Sequence, residues 1–150
     1  MILGIDLHDV IVKPREKSSS PHYFIPGAIE GVMALVDKLS PENCFIVSII
    51  DCDLESEIRA SLIEAKFFIQ TGFLYKNLHF INIRPFRSHY KTPIIIDLGI
   101  THFVDDKIRV LIEIPTEIKS YWFNYRLGQE EIDRTRRVHE APASVYPHFS

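Results

Sequence analysis

The sequence predicts an α/β domain, a mainly parallel sheet with helices on both faces. Short apolar runs rich in β-branched residues alternate with stretches of helical periodicity. The runs are nearly continuous in their hydrophobicity, as strands buried on both faces are. The length, 150 residues, is that of one domain. A chain of this size buries roughly 70% of its unfolded surface and needs no staples.

The first run, Ile2-Leu3-Gly4-Ile5, ends abruptly at a carboxylate, Asp6. His8 and Asp9 follow, and the chain turns apolar again at Val10-Ile11-Val12. Residues 13–22 are charged, Ser-rich and bracketed by Pro14 and Pro21, so they read as a surface excursion. The apolar segments on either side, 10–12 and 23–25, are expected to pair as a small hairpin. Pro26-Gly27 then precedes a helix over 28–39, with apolar residues at Ile29, Val32, Met33, Val36 and Leu39. Ser40-Pro41 ends it, because proline cannot continue a helix.

Residues 45–50 form the second strand, in which Ser48 alone is polar. Asp51 and Asp53 offer N-caps for the next helix, with Glu55 and Glu57 near its positive end. Leu54, Ile58, Leu62, Ala65 and Ile69 give that helix an apolar stripe up to Thr71-Gly72. A third strand spans 78–83, and a basic loop, 84–91, follows it. A short helix over 92–98 ends at Gly99, placed as a C′ glycine. The fourth strand, 101–104, runs into a carboxylate pair, Asp105-Asp106. A short helix over 107–112 and a fifth strand over 118–125, carrying the chain's one tryptophan, Trp122, complete the alternation. Residues 129–138 read as a charged surface helix and 141–150 as an irregular tail.

Composition narrows the function classes. The net charge is −3 with a pI near 6.1, so no basic field invites nonspecific nucleic-acid binding. Cys44 and Cys52 lack metal-ligand spacing and are expected to be reduced, buried thiols of a cytoplasmic protein. Neither a signal-type leader nor an apolar run of about 18 residues is found, so no membrane partner is expected. His22, His79, His89, His102, His139 and His148 show no ligand spacing.

In a parallel sheet the carboxyl ends of all strands lie on one edge, which is where such sheets bind ligands. Asp6, His8, Ser48, Asp105 and Asp106 belong to that edge, with Lys91 in the loop before the fourth strand. These types suit phosphoryl transfer. Clustered carboxylates repel unless a divalent cation neutralises them, and hard oxygen donors favour Mg²⁺. A carboxylate can serve as nucleophile. A hydroxyl and an ammonium can hold phosphoryl oxygens.

At these residues the chain resembles the haloacid dehalogenase-like (HAD) superfamily of Mg²⁺-dependent phosphohydrolases. Asp6-Leu7-His8-Asp9-Val10-Ile11 matches its first motif, the strand ending in Ser48 its second, Lys91 its third and His102-Phe103-Val104-Asp105-Asp106 its fourth. The resemblance covers roughly residues 1–111. It implies a single three-layer, Rossmann-like domain over 1–150 with strand order 3-2-1-4-5. It makes Asp6 the nucleophile and a metal ligand, with the carbonyl of His8, Asp105 and Asp106 completing the Mg²⁺ site. Ser48 and Lys91 would hold the phosphoryl group, with Lys76, Arg84 and Arg87 as rivals to Lys91. A flap falls at about 10–25 and no large cap is inserted. Uncapped members act on large phosphorylated substrates or complete their sites by oligomerising, so either is expected here.

One position departs from the pattern. The family's phosphatases carry Asp two residues after the nucleophile, as general acid and base, and this chain has His8. Imidazole titrates near neutrality and can do that work. Three readings stay open: a phosphatase using His8, a phosphotransferase or slow hydrolase, and a binding or regulatory protein without chemistry. A phospho-accepting receiver domain uses similar residues, but its carboxylate pair belongs beside the first strand, not at the end of the fourth.

Overall fold

In the computed structural model, which describes residues 1–13, 24–82 and 91–124, the first apolar run becomes the middle strand of the sheet. The strands are β1 (Leu3–Ile5), β2 (Cys44–Ile50), β3 (Leu78–Asn82), β4 (His102–Asp105) and β5 (Lys119–Trp122). They lie in the order β3-β2-β1-β4-β5, and all four pairings are parallel. The expected α/β architecture and strand order are therefore what the chain adopts.

The helices divide between the two faces as right-handed crossovers require. α1 (Ala28–Leu39), α2 (Glu55–Glu64) and α3 (Phe67–Thr71) connect β1 to β2 and β2 to β3, and cover one face. α4 (Thr92–Asp97) lies on the return from β3 to β4 on the other side of β1, α5 (Ile108–Glu113) connects β4 to β5, and both cover the opposite face. The larger core packs Leu3, Ile5, Val32, Leu35, Ile46 and Phe67. The smaller packs Val47, Ile95, Ile100, Phe103, Leu111 and Trp122. Among the described residues no helix is long and apolar enough to cross a membrane.

The turn after β1 is part of the larger core. Leu7, Val10, Ile11 and Val12 are fully buried. The amides of Ile11 and Val12 both donate to the Leu7 carbonyl, and Asp9 takes a left-handed φ of 65°. The expected hairpin exists as an antiparallel bridge from Val12 to Phe24, with Ile25 N–H on the Ile11 carbonyl at 2.8 Å. The rest of the flap, 14–23, lies outside the described residues, as do Arg84 and Arg87, the expected helix over 129–138 and the tail.

Three packing expectations are corrected. In α1 the buried face is Ala28, Val32, Leu35 and Val36, while Met33 is 43% exposed. The single helix expected from Leu54 to Ile69 is broken. Lys66 adopts a left-handed φ of 61°, which ends α2 and restarts the helical phase in α3. Continuing the 3.6-residue period would point Ile69 inward. With the phase reset, Phe67 and Thr71 face the core, and Ile69 is 83% exposed. Phe67 gains a stacked partner in Phe24 and an edge contact with Phe68. Leu54, in the turn before α2, is also exposed, and so is Cys52 in the same turn, which corrects the expectation of a buried thiol there.

Glycine matters at two places. A Cβ on Gly4 would come within 2.7 Å of Ile100 Cδ1 and Phe103 Cδ2, so β1 approaches the smaller core only because that residue has none. Gly99, at φ 71°, closes α4 in a Schellman motif. Its N–H donates to Ile96 and that of Ile100 to Ile95.

Candidate active site

β1 is the point where strand order reverses. The connection after it leads to one side, and β4 is added on the other. A crevice opens beyond the carboxyl ends at such a point. The residues flanking it are the first ones past β1 and the last of β4.

Asp6 follows Ile5, and its N–H extends the ladder to the Val104 carbonyl at 2.9 Å. The side chain is buried, and Oδ1 accepts the Leu7 N–H at 2.9 Å. Asp105 ends β4 at 0% exposure. Its Oδ1 accepts the Lys107 N–H at 2.9 Å, the Asx-turn that opens the way to α5. Lys91, just before α4, reaches between them. Its Nζ lies 2.8 Å from Asp6 Oδ1 and 2.7 Å from Asp105 Oδ2, with the Phe103 ring 5.5 Å away. Lys91 is only 4% exposed, so this ammonium is desolvated and held by two carboxylates. Burial pulls its pKa down, but Asp6 and Asp105 outweigh burial and leave it above the ordinary lysine value.

Asp106 completes the group. Oxygens of Asp6, Asp105 and Asp106 lie within 4.8 Å of one another. Asp106 Oδ1 is buried and has no hydrogen-bond partner among the described residues. Three carboxylates face one ammonium, an excess of negative charge in a desolvated place. Burial, with Asp6 and Asp105 adding to it, pushes the Asp106 carboxyl up to about 9. Asp105 is raised too, first by burial and then by Asp6, against the pull of Lys91. An orphaned buried oxygen beside two more hard donors fits a small divalent cation, which would replace the proton and relieve the repulsion.

The other expected residues stand apart from this group to different degrees. His8 is half-buried in the turn, bridged through its backbone to Val12. Burial lowers its pKa, Asp9 opposes that, and Lys91 and Lys107 lower it further. Ser48 is buried in β2 opposite Phe80, two residues before the strand ends. It shares a pleat with Ile46 and Ile50 of the larger core and makes no side-chain hydrogen bond among the described residues. Lys76 lies in the turn before β3, at the opposite edge of the sheet, and so is removed from the site. A second group, Asp51, Cys52 and Asp53, also brings ligand atoms within 4.8 Å, but Asp51 there caps the turn after β2.

Sequence reasoning missed the groups that hold the fourth-strand turn from β5. The indole N–H of Trp122 donates to the Asp106 carbonyl at 2.9 Å, and Phe123 N–H donates to the Asp105 carbonyl at 3.0 Å. The available signal was position: Trp122 ends the strand that pairs with β4.

No protein-family model, curated protein or solved structure matches the chain. The functional reading therefore rests on the site's own geometry and on the residue pattern.

Proposed function

We propose that the chain is a Mg²⁺-dependent phosphomonoester hydrolase that works through an aspartyl-phosphate on Asp6. The observation that supports this reading best is the buried carboxylate trio of Asp6, Asp105 and Asp106, with Lys91 clamped between the first two, at the switch point of a parallel sheet. In the proposed reaction an Asp6 carboxylate oxygen attacks phosphorus, the ester P–O bond breaks, and the leaving alcohol takes a proton. Water then attacks phosphorus, the bond to Asp6 breaks, and phosphate leaves. Asp6, Asp105, Asp106 and the carbonyl of His8 would hold Mg²⁺, which supplies charge neutralisation at the phosphoryl oxygens. Lys91, already desolvated, turns from the carboxylates to the phosphoryl group and stabilises the charge that develops there. Ser48 is assigned to phosphate binding and His8 to proton transfer. The substrate belongs to the phosphorylated class, large or met by an oligomer, in the cytoplasm, where Cys44 and Cys52, which form no disulfide, would stay reduced.

A second reading is a binding or regulatory protein on the same frame. The residue that favours it is His8, which stands where the reaction wants a carboxylic acid. One experiment tests both. Phosphate release from an aryl phosphate is measured with Mg²⁺ and with chelator, for wild type, Asp6→Asn and His8→Asp. The hydrolase reading expects turnover by wild type that falls to background in Asp6→Asn and in chelator. An inert wild type with an active His8→Asp decides for the second reading. Failure of wild type to bind Mg²⁺ by calorimetry removes the hydrolase reading and the assignment of the metal site.

A further inference from the structure

The turn that carries Asp105 and Asp106 is held from outside the carboxylate group. β5 pairs with β4 in a register that sets Trp122 opposite Asp105. Its side chain lies in the smaller core with Phe103 and Ile95, 5% exposed. From there the indole N–H donates to the carbonyl of Asp106 at 2.9 Å. The next residue, Phe123, donates its amide to the carbonyl of Asp105 at 3.0 Å. Lys107 N–H takes Asp105 Oδ1. Two successive carbonyls are thus claimed by donors from β5, and the peptide plane after Asp106 cannot rotate without orphaning a buried indole N–H. Asp106 is thus held through its backbone, while its Oδ1 has no hydrogen-bond partner among the described residues.

We infer that Trp122 is a positioning residue of the metal site: its indole N–H holds the Asp106 backbone so that the Asp106 carboxylate stays beside those of Asp6 and Asp105. The inference rests on the reading of these three carboxylates as a Mg²⁺ site. Partners that orient a ligand without touching the metal characteristically govern metal affinity. Here the hydrogen bond acts on the ligand's backbone and leaves its carboxyl oxygens for the cation.

Trp122→Phe keeps an aromatic ring in the core and removes only the donor and one ring's area. Mg²⁺ affinity by calorimetry is expected to fall roughly tenfold in Trp122→Phe. A merely structural role would lower the melting temperature without Mg²⁺ and leave affinity unchanged, and that result overturns the inference while the metal site stands. Wild type that binds no Mg²⁺ overturns the inference and the metal site together. A second measurement needs no variant of Trp122. The chain has one tryptophan, so its indole N–H gives one resonance in an amide correlation spectrum. Mg²⁺ is expected to shift that resonance along the calorimetric binding curve in wild type and to leave it in place in Asp106→Asn. A resonance unmoved while calorimetry records binding overturns the inference.

Discussion

At the scale of the residue, the decisive group is Asp106. Its carboxyl is raised to about 9 by burial and by Asp6 and Asp105. In the unfolded chain an aspartic acid has lost its proton by pH 7, so folding at neutral pH takes a proton up. Stability then falls as pH rises from 7 towards 9. His8, lowered from its ordinary value, acts below that window, and Cys44, raised by burial to about 11, adds to the fall only from the window's upper end, where an unfolded thiol starts to lose its proton. Urea unfolding without metal is expected to show a loss of less than about 1.4 kcal/mol per pH unit between 7 and 9. Asp106→Asn should flatten the slope, and saturating Mg²⁺ should flatten or reverse it. A wild-type slope that Asp106→Asn leaves unchanged would assign the effect elsewhere.

At the scale of the element, β1 is a strand of three residues that must be thin on one side. Gly4→Ala is expected to destabilise by about 1–3 kcal/mol, because its methyl meets Ile100 and Phe103 at 2.7 Å. Gly4→Val should prevent folding, since the neighbours are core side chains held by α4 and β4. Urea midpoints of the two variants check this, and an Ala variant as stable as wild type would mean that Ile100 and Phe103 yield freely. The strands were legible in the sequence because double burial writes them as uninterrupted apolar runs. The break at Lys66 was not, because a single left-handed residue shifts helical phase without altering the local spacing of apolar residues. The gathering of Asp6, Lys91, Asp105 and Asp106 was legible through topology, since parallel strands put their ends on one edge. The bond from Trp122 to Asp106 was not, because a side-chain bond to the backbone of a neighbouring strand has no sequence pattern.

At the scale of the whole molecule, Lys91 joins β1, β4 and the start of α4 through two buried ion pairs. Removing it leaves carboxylates without a counter-charge, which costs far more than a surface pair would. Lys91→Met is expected to lose about 3 kcal/mol in urea unfolding at neutral pH. Mg²⁺ should restore much of it, since a cation on the trio supplies the missing charge. A variant as stable as wild type would show that water already screens the three carboxylates. The same bridge has a consequence for synthesis. Asp6 is made before its partner Lys91, which comes 85 residues later. At roughly 5–20 residues per second that interval is on the order of ten seconds. Until β4 has been made, the edge of β1 that will carry it stays open, with a run of buried-type side chains and a carboxylate at its end. A nascent chain is thus exposed to misassociation along its central strand until the ribosome has passed the residues that neutralise and cover it.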